Sequence, residues 1–359
     1  MHKVFLDNII LSLQKAGGIS VYWFELLRRF SLSQNIKIYE MPSDNIFRNQ
    51  LCLKTELESH IPLSLLRYLP FIRKLQEFSI FHSSYYRVSL QKNIANITTV
   101  HDFTYEYFSS GLKKKVHSWQ KSFAVRHSAG IICVSENTKN DLLKFTPGIN
   151  PTQIKVIYNG VGDEFYPLVS IESDYGFDEL TGKKIVLFVG DRSPYKNFDK
   201  AIDVVKQFSD LSLVVVGGKP FSGDEQQMLA ELNGRFFSYK GVSGEALNWL
   251  YNHAFCLLYP SSYEGFGIPI VEAMKAGCPV VSTNVSSIPE VAGDAALLVD
   301  ALTVESLSEK ISMLYEPVIR SALREKGFVQ AAKFSWDKCF EETIEFYKEV
   351  WQREFGEKN

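Results

Sequence analysis

The chain has 359 residues, 45% hydrophobic and 22% charged, and its 39 Lys and Arg against 41 Asp and Glu leave a formal net charge of −2. That length exceeds a single compact core, so two domains of ordinary size are expected, and the balanced charge excludes a global nucleic-acid field: an anionic partner must be met by a local site. The cysteines (Cys52, Cys133, Cys256, Cys278, Cys339) form no Cys-x-x-Cys pair, and four lie in or beside apolar runs, as reduced buried thiols do rather than disulfides or a zinc site.

The first strand reads "KVFLD". Its Asp7 interrupts what would be a signal-peptide core, and no apolar run reaches membrane-spanning length, so a cytoplasmic protein is expected. "QKAGGISVYW" then places Gly17 and Gly18 on the turn into the first helix. The strands "IKIYE", "FSIFHSS", "ITTVHDF", "GIICVS" and "IKVIYNG" follow, and His101 with Asp102 closes the third of these. Two intervening stretches interleave apolar and aromatic residues with cations. "HIPLSLLRYLPFIRKLQEF", residues 60–78, carries Arg67, Arg73 and Lys74; "GLKKKVHSWQKSF" carries Lys113–Lys115, Trp119 and Lys121. Each suits either a buried amphipathic helix with a solvated basic face or a surface resting on an anionic bilayer or a lipid diphosphate.

From residue 160, "NGVGDEFYPLVSIESDYGFDELTGKK" is poor in pattern and rich in Gly and Asp, and a fresh strand series begins after it. The boundary is placed there, with domains 1–162 and 163–337. The second series reads "KKIVLFVG", "LSLVVVGG", "RFFSYKG", "FCLLYPS", "CPVVST" and "AALLVD", and the chain closes on three helical stretches. Continuously apolar strands alternating with helices imply α/β architecture with parallel sheets. "FVGDRSPYKNF" puts Gly190, Arg192 and Lys196 on a strand-to-helix turn, where an arginine fork and a lysine charge suit a diphosphate. "SSYEGFGIPIVEAMKAG" sets Glu264 and Glu272 around Gly265, Gly267 and Pro269 at the end of another strand. There glycine lets backbone amides approach a ligand, and the two acids suit sugar hydroxyls.

"EGFGIPIVE" with "GDRSPYKN", "VIYNGV" and "VSENTKNDL" resembles the family-four retaining glycosyltransferases of the GT-B fold, over nearly the whole chain. The resemblance implies two Rossmann-like doubly wound parallel-sheet domains facing across a cleft, with a C-terminal helix, 338–359, packing back on the first. It implies transfer of a hexosyl group from a nucleotide diphosphate sugar with retention, needing no metal and no cofactor, and the chain holds no Asp-x-Asp. Arg192 and Lys196 would then neutralise the diphosphate. Glu264 would hold the donor sugar, the backbone of Gly265, Phe266, Gly267 and Ile268 would contact sugar or phosphate, and Glu272 would bind the ribose. Gly17 and Gly18 would pack against phosphates and acceptor, His101 would stand beside the donor sugar, and Asp102 would hold that histidine or a nearby loop. The base would lie over "YKGVSGEAL" near Val242, with Gly217 close by.

"GDRSPYKNF" and "AGGISVYW" are most similar to members that build bacterial surface polysaccharides such as O-antigen, capsule or lipopolysaccharide, many of them mannosyltransferases. The expected partners are therefore a GDP- or UDP-linked sugar, with GDP-mannose favoured, and a saccharide or lipid-linked saccharide acceptor. Peripheral contact with the inner membrane is expected, and no nucleic acid. A nucleotide-sugar epimerase of the same fold and a non-catalytic nucleotide-sugar binding protein fit the same residues. A nicotinamide oxidoreductase does not, since no G-x-G-x-x-G follows any strand.

Overall fold

The computed structural model describes residues 3–30, 35–169 and 175–356. Residues 1–2 of the first expected domain, 170–174 of the pattern-poor stretch and 357–359 of the expected last helix lie outside them. The chain divides into two compact units, residues 1–160 with 336–359, and residues 161–335.

The first unit holds β1 (Val4–Asp7), β2 (Ile36–Glu40), β3 (Thr55–Leu57), β4 (Ser79–Ser83), β5 (Ile94–Val100), β6 (Gly130–Cys133) and β7 (Ile154–Val156), in the order β3-β2-β1-β4-β5-β6-β7. All neighbouring pairs are parallel. β1, β4 and β6 are buried at every residue, which is why they read as apolar runs. The strand order reverses at β1, and the carboxyl ends beside such a reversal are where open sheets of this kind bind ligands. There Asp7 accepts hydrogen bonds from Arg87 Nη1 and Ser83 Oγ, each at 2.8 Å, and Arg87 also pairs with buried Glu58. The two cation-bearing stretches differ from expectation. Residues 60–78 do not form one amphipathic helix: Pro70 interrupts the segment, and only Leu63–Leu66, opened by Pro62, is helical. Lys121 does not belong to a solvated basic face; it is buried, with Nζ on Glu106 Oε2 and the Asp102 carbonyl.

The second unit holds β8 (Lys184–Val189), β9 (Leu211–Val216), β10 (Phe236–Tyr239), β11 (Ala254–Tyr259), β12 (Val280–Thr283) and β13 (Ala296–Val299), all parallel in the order β10-β9-β8-β11-β12-β13. Its core is built on Val186, Phe188, Leu213, Val215, Cys256 and Leu258 from these strands with Ile202 and Val205 from the helix Phe198–Lys206. Its order reverses between β8 and β11, the strands that lead into the two motifs singled out above.

The helix Trp336–Phe355 belongs to the first unit although it follows the second in sequence. Tyr347 Oη meets His82 Nδ1 at 2.5 Å, and Trp351 Nε1 donates to the Phe78 carbonyl at 2.8 Å. The helix comes so close to β6 that a Cβ on Gly130 would stand 2.7 Å from Val350 Cγ2, so glycine is required there. Among the described residues no helix is long and apolar enough to cross a membrane.

Candidate functional site

In the second unit the turns after β8 and β11 are fastened to each other. Asn197 adopts a left-handed conformation (φ 50°), which asparagine tolerates, and its Nδ2 donates to the carbonyls of Tyr195 and Pro260 and to Ser262 Oγ. The Ser262 amide returns a bond to the Tyr195 carbonyl at 2.8 Å. This cross-tie brings Lys196 and Glu264 together from 68 positions apart. Lys196 Nζ donates to Tyr259 Oη at 2.9 Å and to Glu264 Oε1. Both side chains are nearly enclosed, at 10% and 11% exposure. Burial by itself would pull the Lys196 ammonium below its usual range; the Glu264 carboxylate outweighs that and holds it charged.

The loop after Glu264 is held from the β12 side. The Glu264 amide donates to Ser286 Oγ at 2.8 Å, and Ser287 Oγ bonds the carbonyls of Glu264 and Phe266. Gly267, at φ 97°, then turns the chain into the helix Ile268–Ala276, with Pro269 in its first turn. A residue with a Cβ would be strained at that φ. No side chain caps this helix among the described residues, and its N-terminus carries the partial positive charge that favours an anion, although Pro269 has no N–H and the Ile270 amide bonds the Gly267 carbonyl at 3.0 Å. Glu272 lies within the helix. Tyr251 Oη donates to its Oε2 at 2.9 Å, yet burial, reinforced by the nearby Glu164 carboxylate, pushes the Glu272 acid up to about 7. Gly190, Gly217 and Val242 follow β8, β9 and β10 in turn, so they sit along the same carboxyl edge; the Gly190 amide bonds Val216 O and the Gly217 amide bonds Tyr239 O.

Arg192 is held by partners of its own. Its Nε donates to Glu225 Oε1 at 2.9 Å, its other nitrogens to the carbonyls of Gly217 and Lys219, and its guanidinium lies 3.9 Å from the Phe221 ring centre. In the first unit Gly17 precedes, and Gly18 opens, the helix Gly18–Phe30. Tyr22 of that helix meets His101 edge-on at 4.9 Å, with its Oη 3.3 Å from Thr99 Oγ1. Burial, aided by the Lys121 ammonium and opposed by Asp102, pushes the His101 ring down to about 4, so it is a neutral imidazole near pH 7. Asp102 holds its own loop: Oδ1 accepts the Thr104 amide at 2.9 Å. Among the described residues no group of three His, Cys, Asp or Glu side chains is placed to hold a metal ion. Tyr251 and Tyr259, Asn197, Ser286 and Ser287, and Glu225 escaped sequence reading. For the serines a signal existed: "SSIPE" sets a hydroxyl pair before a helix-opening proline.

Comparison with known proteins gives this arrangement a family. The model for "Glycosyl transferases group 1" matches residues 174–349, and that for "Glycosyltransferase Family 4" matches residues 16–165. The chain is 36% identical over 179 residues to O-antigen chain mannosyltransferase B of Escherichia coli, and 30% identical over 230 residues to O-antigen chain mannosyltransferase RfbU of Salmonella typhimurium. These matches span 47% and 62% of this chain, and the same shares of the two relatives. The structure of Anabaena HepE in complex with UDP-glucose superposes with a TM-score of 0.76 at 17% identity, over 97% of this chain and 100% of that one. The chain belongs to the group 1, family-four glycosyltransferases, and its two parallel-sheet units are those of the GT-B fold.

Proposed function

We propose that this protein transfers a hexosyl group, with retention of configuration, from a nucleotide diphosphate sugar to a saccharide or lipid-linked saccharide during bacterial surface-polysaccharide synthesis. Mannose from GDP-mannose is the leading donor. The observation that carries the reading is the enclosed Lys196–Glu264 pair, set at the carboxyl ends of β8 and β11 beside the uncapped Ile268–Ala276 helix. The two O-antigen mannosyltransferase relatives support the donor and the pathway class, and the HepE complex supports a nucleotide-linked sugar.

In this reaction the bond from the sugar's anomeric carbon to the diphosphate oxygen breaks, its electron pair leaving with the phosphate. Lys196 neutralises the growing charge, as oxyanion donors do. Arg192 joins it by exchanging Glu225 for the diphosphate. Glu264, released from Lys196, accepts hydrogen bonds from hydroxyls of the transferred sugar, and Glu272 takes the ribose. The acceptor hydroxyl attacks on the face the diphosphate leaves, and its proton passes to the departing phosphate.

The test is a thermal-shift screen against GDP-, UDP- and dTDP-sugars, followed by turnover of the stabilising donor. Lys196→Ala is expected to lower kcat by about a hundredfold or more while its circular dichroism stays native. Near-wild-type turnover would overturn the role. Release of free nucleotide with an epimerised sugar, independent of acceptor, would support an epimerase instead. Tight donor binding without turnover on any acceptor would support a binding protein.

A further inference from the structure

The second unit holds a cavity of 360 Å3 at the edge of its sheet opposite to Lys196 and Glu264. Lys184 and Ala254, which line it, open β8 and β11, and Pro279 directly precedes β12. The turns that carry Lys196 and Glu264 leave the carboxyl ends of β8 and β11, so the cavity and the donor residues lie at opposite ends of the same strands. The helix Pro317–Ala331 adds a second wall with Arg320, Ser321 and Arg324, and Tyr315 lies just before it.

Charge in this cavity is unbalanced. Lys184, Arg320 and Arg324 bring three cations, and no carboxylate lines it. Lys184 Nζ does reach one acid, Asp210, at 2.8 Å, and Tyr315 Oη donates to the same carboxylate at 2.7 Å. The two arginines have no such partner. Most arginines of the chain bond carboxylates, carbonyls or hydroxyls, whereas among the described residues neither Arg320 nor Arg324 makes a side-chain hydrogen bond or an ion pair. What faces them is aromatic: the Arg320 guanidinium stands 4.8 Å from the Phe255 ring centre, and that of Arg324 stands 5.5 Å from the Phe328 ring centre. Ring faces of this kind position a guanidinium without neutralising it. The two arginines are four positions apart in one helix and so are neighbours on its surface, where like charges repel. An anion shared between them removes that repulsion.

We propose that this cavity binds a small, soluble phosphate monoester. Its phosphate sits between the Arg320 and Arg324 guanidiniums, whose planar forks match phosphate oxygens two at a time, and Lys184 adds a point charge from the strand side. A phosphate monoester carries roughly 1.5 to 2 negative charges near neutral pH, enough to answer both arginines, where a single carboxylate answers one. The body of the ligand lies against Tyr315 and the Ser321 hydroxyl, both exposed. A space of 360 Å3 is of the size that takes a small molecule. The site has no part in the proposed sugar transfer and stands independently of that reading.

Isothermal titration of the intact protein with fructose 6-phosphate tests it. One site is expected, with no binding of fructose and weaker binding of succinate, which holds its charge on two separated groups. Arg324→Gln, at an exposed position, is expected to weaken the probe about tenfold, and adding Arg320→Gln to abolish its binding. Lys196→Ala is expected to leave the probe unaffected, and both arginine variants to keep the thermal protection given by nucleotide sugar. No binding by the wild type, equal affinity in Arg324→Gln, succinate as tight as the probe, or loss of binding in Lys196→Ala would overturn the proposal. So would loss of nucleotide-sugar protection in Arg324→Gln, since the arginine would then belong to the donor machinery. Phosphatidylglycerol vesicles that sediment with the wild type but not with the double variant, and that fructose 6-phosphate does not displace, would also overturn it, because the arginines would then meet a lipid surface.

Discussion

Near neutral pH Glu272 stands at the midpoint of its own titration, because burial and then Glu164 push its acid from 4.5 up to about 7. A raised acid pKa means the folded, ligand-free protein prefers the protonated form. The stability this confers is complete below about pH 4.5 and is lost as pH rises through 7. Glu272→Gln keeps the shape and the Tyr251 contact but removes the titration. The gap in unfolding free energy between variant and wild type is therefore expected to widen in the variant's favour from pH 5 to pH 8, by at most ~3 kcal/mol. Urea titrations that run parallel across that range would show that Glu272 carries no such shift. The identity of this residue was legible in the motif; its partner was not. Tyr251 follows Trp249 and Leu250 in a helix and reads as core, and Tyr259, after Leu257 and Leu258 at the end of β11, reads the same way. Lys196 and Glu264 were each legible as ligand-facing, yet nothing in the chain announces that they face one another. That follows from the tie between two turns and from the need of a buried ammonium for a counter-charge.

At the scale of elements, apolar runs, most of them continuous, made twelve of the thirteen strands among the described residues readable. β3 escaped because "TEL" is three residues long, lies at the sheet edge and is mostly exposed, so it has no apolar signature. The 60–78 stretch misled in the opposite sense: its apolar spacing mimics a helix that its prolines forbid. The helix Trp336–Phe355 was readable as a helix, but its polar anchor was not. Tyr347 Oη, on the helix, bonds His82 Nδ1 in β4, while His82 Nε2 meets Thr99 Oγ1 at 2.9 Å. Burial, and then His101, push the His82 ring down to about 3, so it is a neutral group that depends on these bonds. Tyr347→Phe leaves Nδ1 buried and unpaired, which is expected to cost about 1–3 kcal/mol in urea denaturation without altering nucleotide-sugar protection. An unchanged denaturation midpoint would show that the bond adds nothing to holding the helix on the sheet.

For the whole molecule, the consequence of this connectivity is that the first unit is assembled from both ends of the chain while the second is continuous. Ending the chain at residue 335 would take Trp336, Tyr347, Val350, Trp351 and Phe355, all buried, away from the first unit. Large apolar side chains each contribute roughly 1.5–3 kcal/mol on burial. Five of them together rival the entire stability of an ordinary domain, about 5–15 kcal/mol. The second unit loses none of its six strands, and Lys196, Glu264 and Glu272 keep every partner named above. The truncated protein is therefore expected to show one calorimetric transition in place of two, belonging to residues 161–335. That remaining transition should still move upward with the nucleotide sugar that stabilises the full chain. A truncated protein with both transitions intact would mean that the helix is dispensable to the first unit. One whose remaining transition ignores the donor would mean that the second unit does not bind the nucleotide sugar by itself, and that the site assigned to it is incomplete.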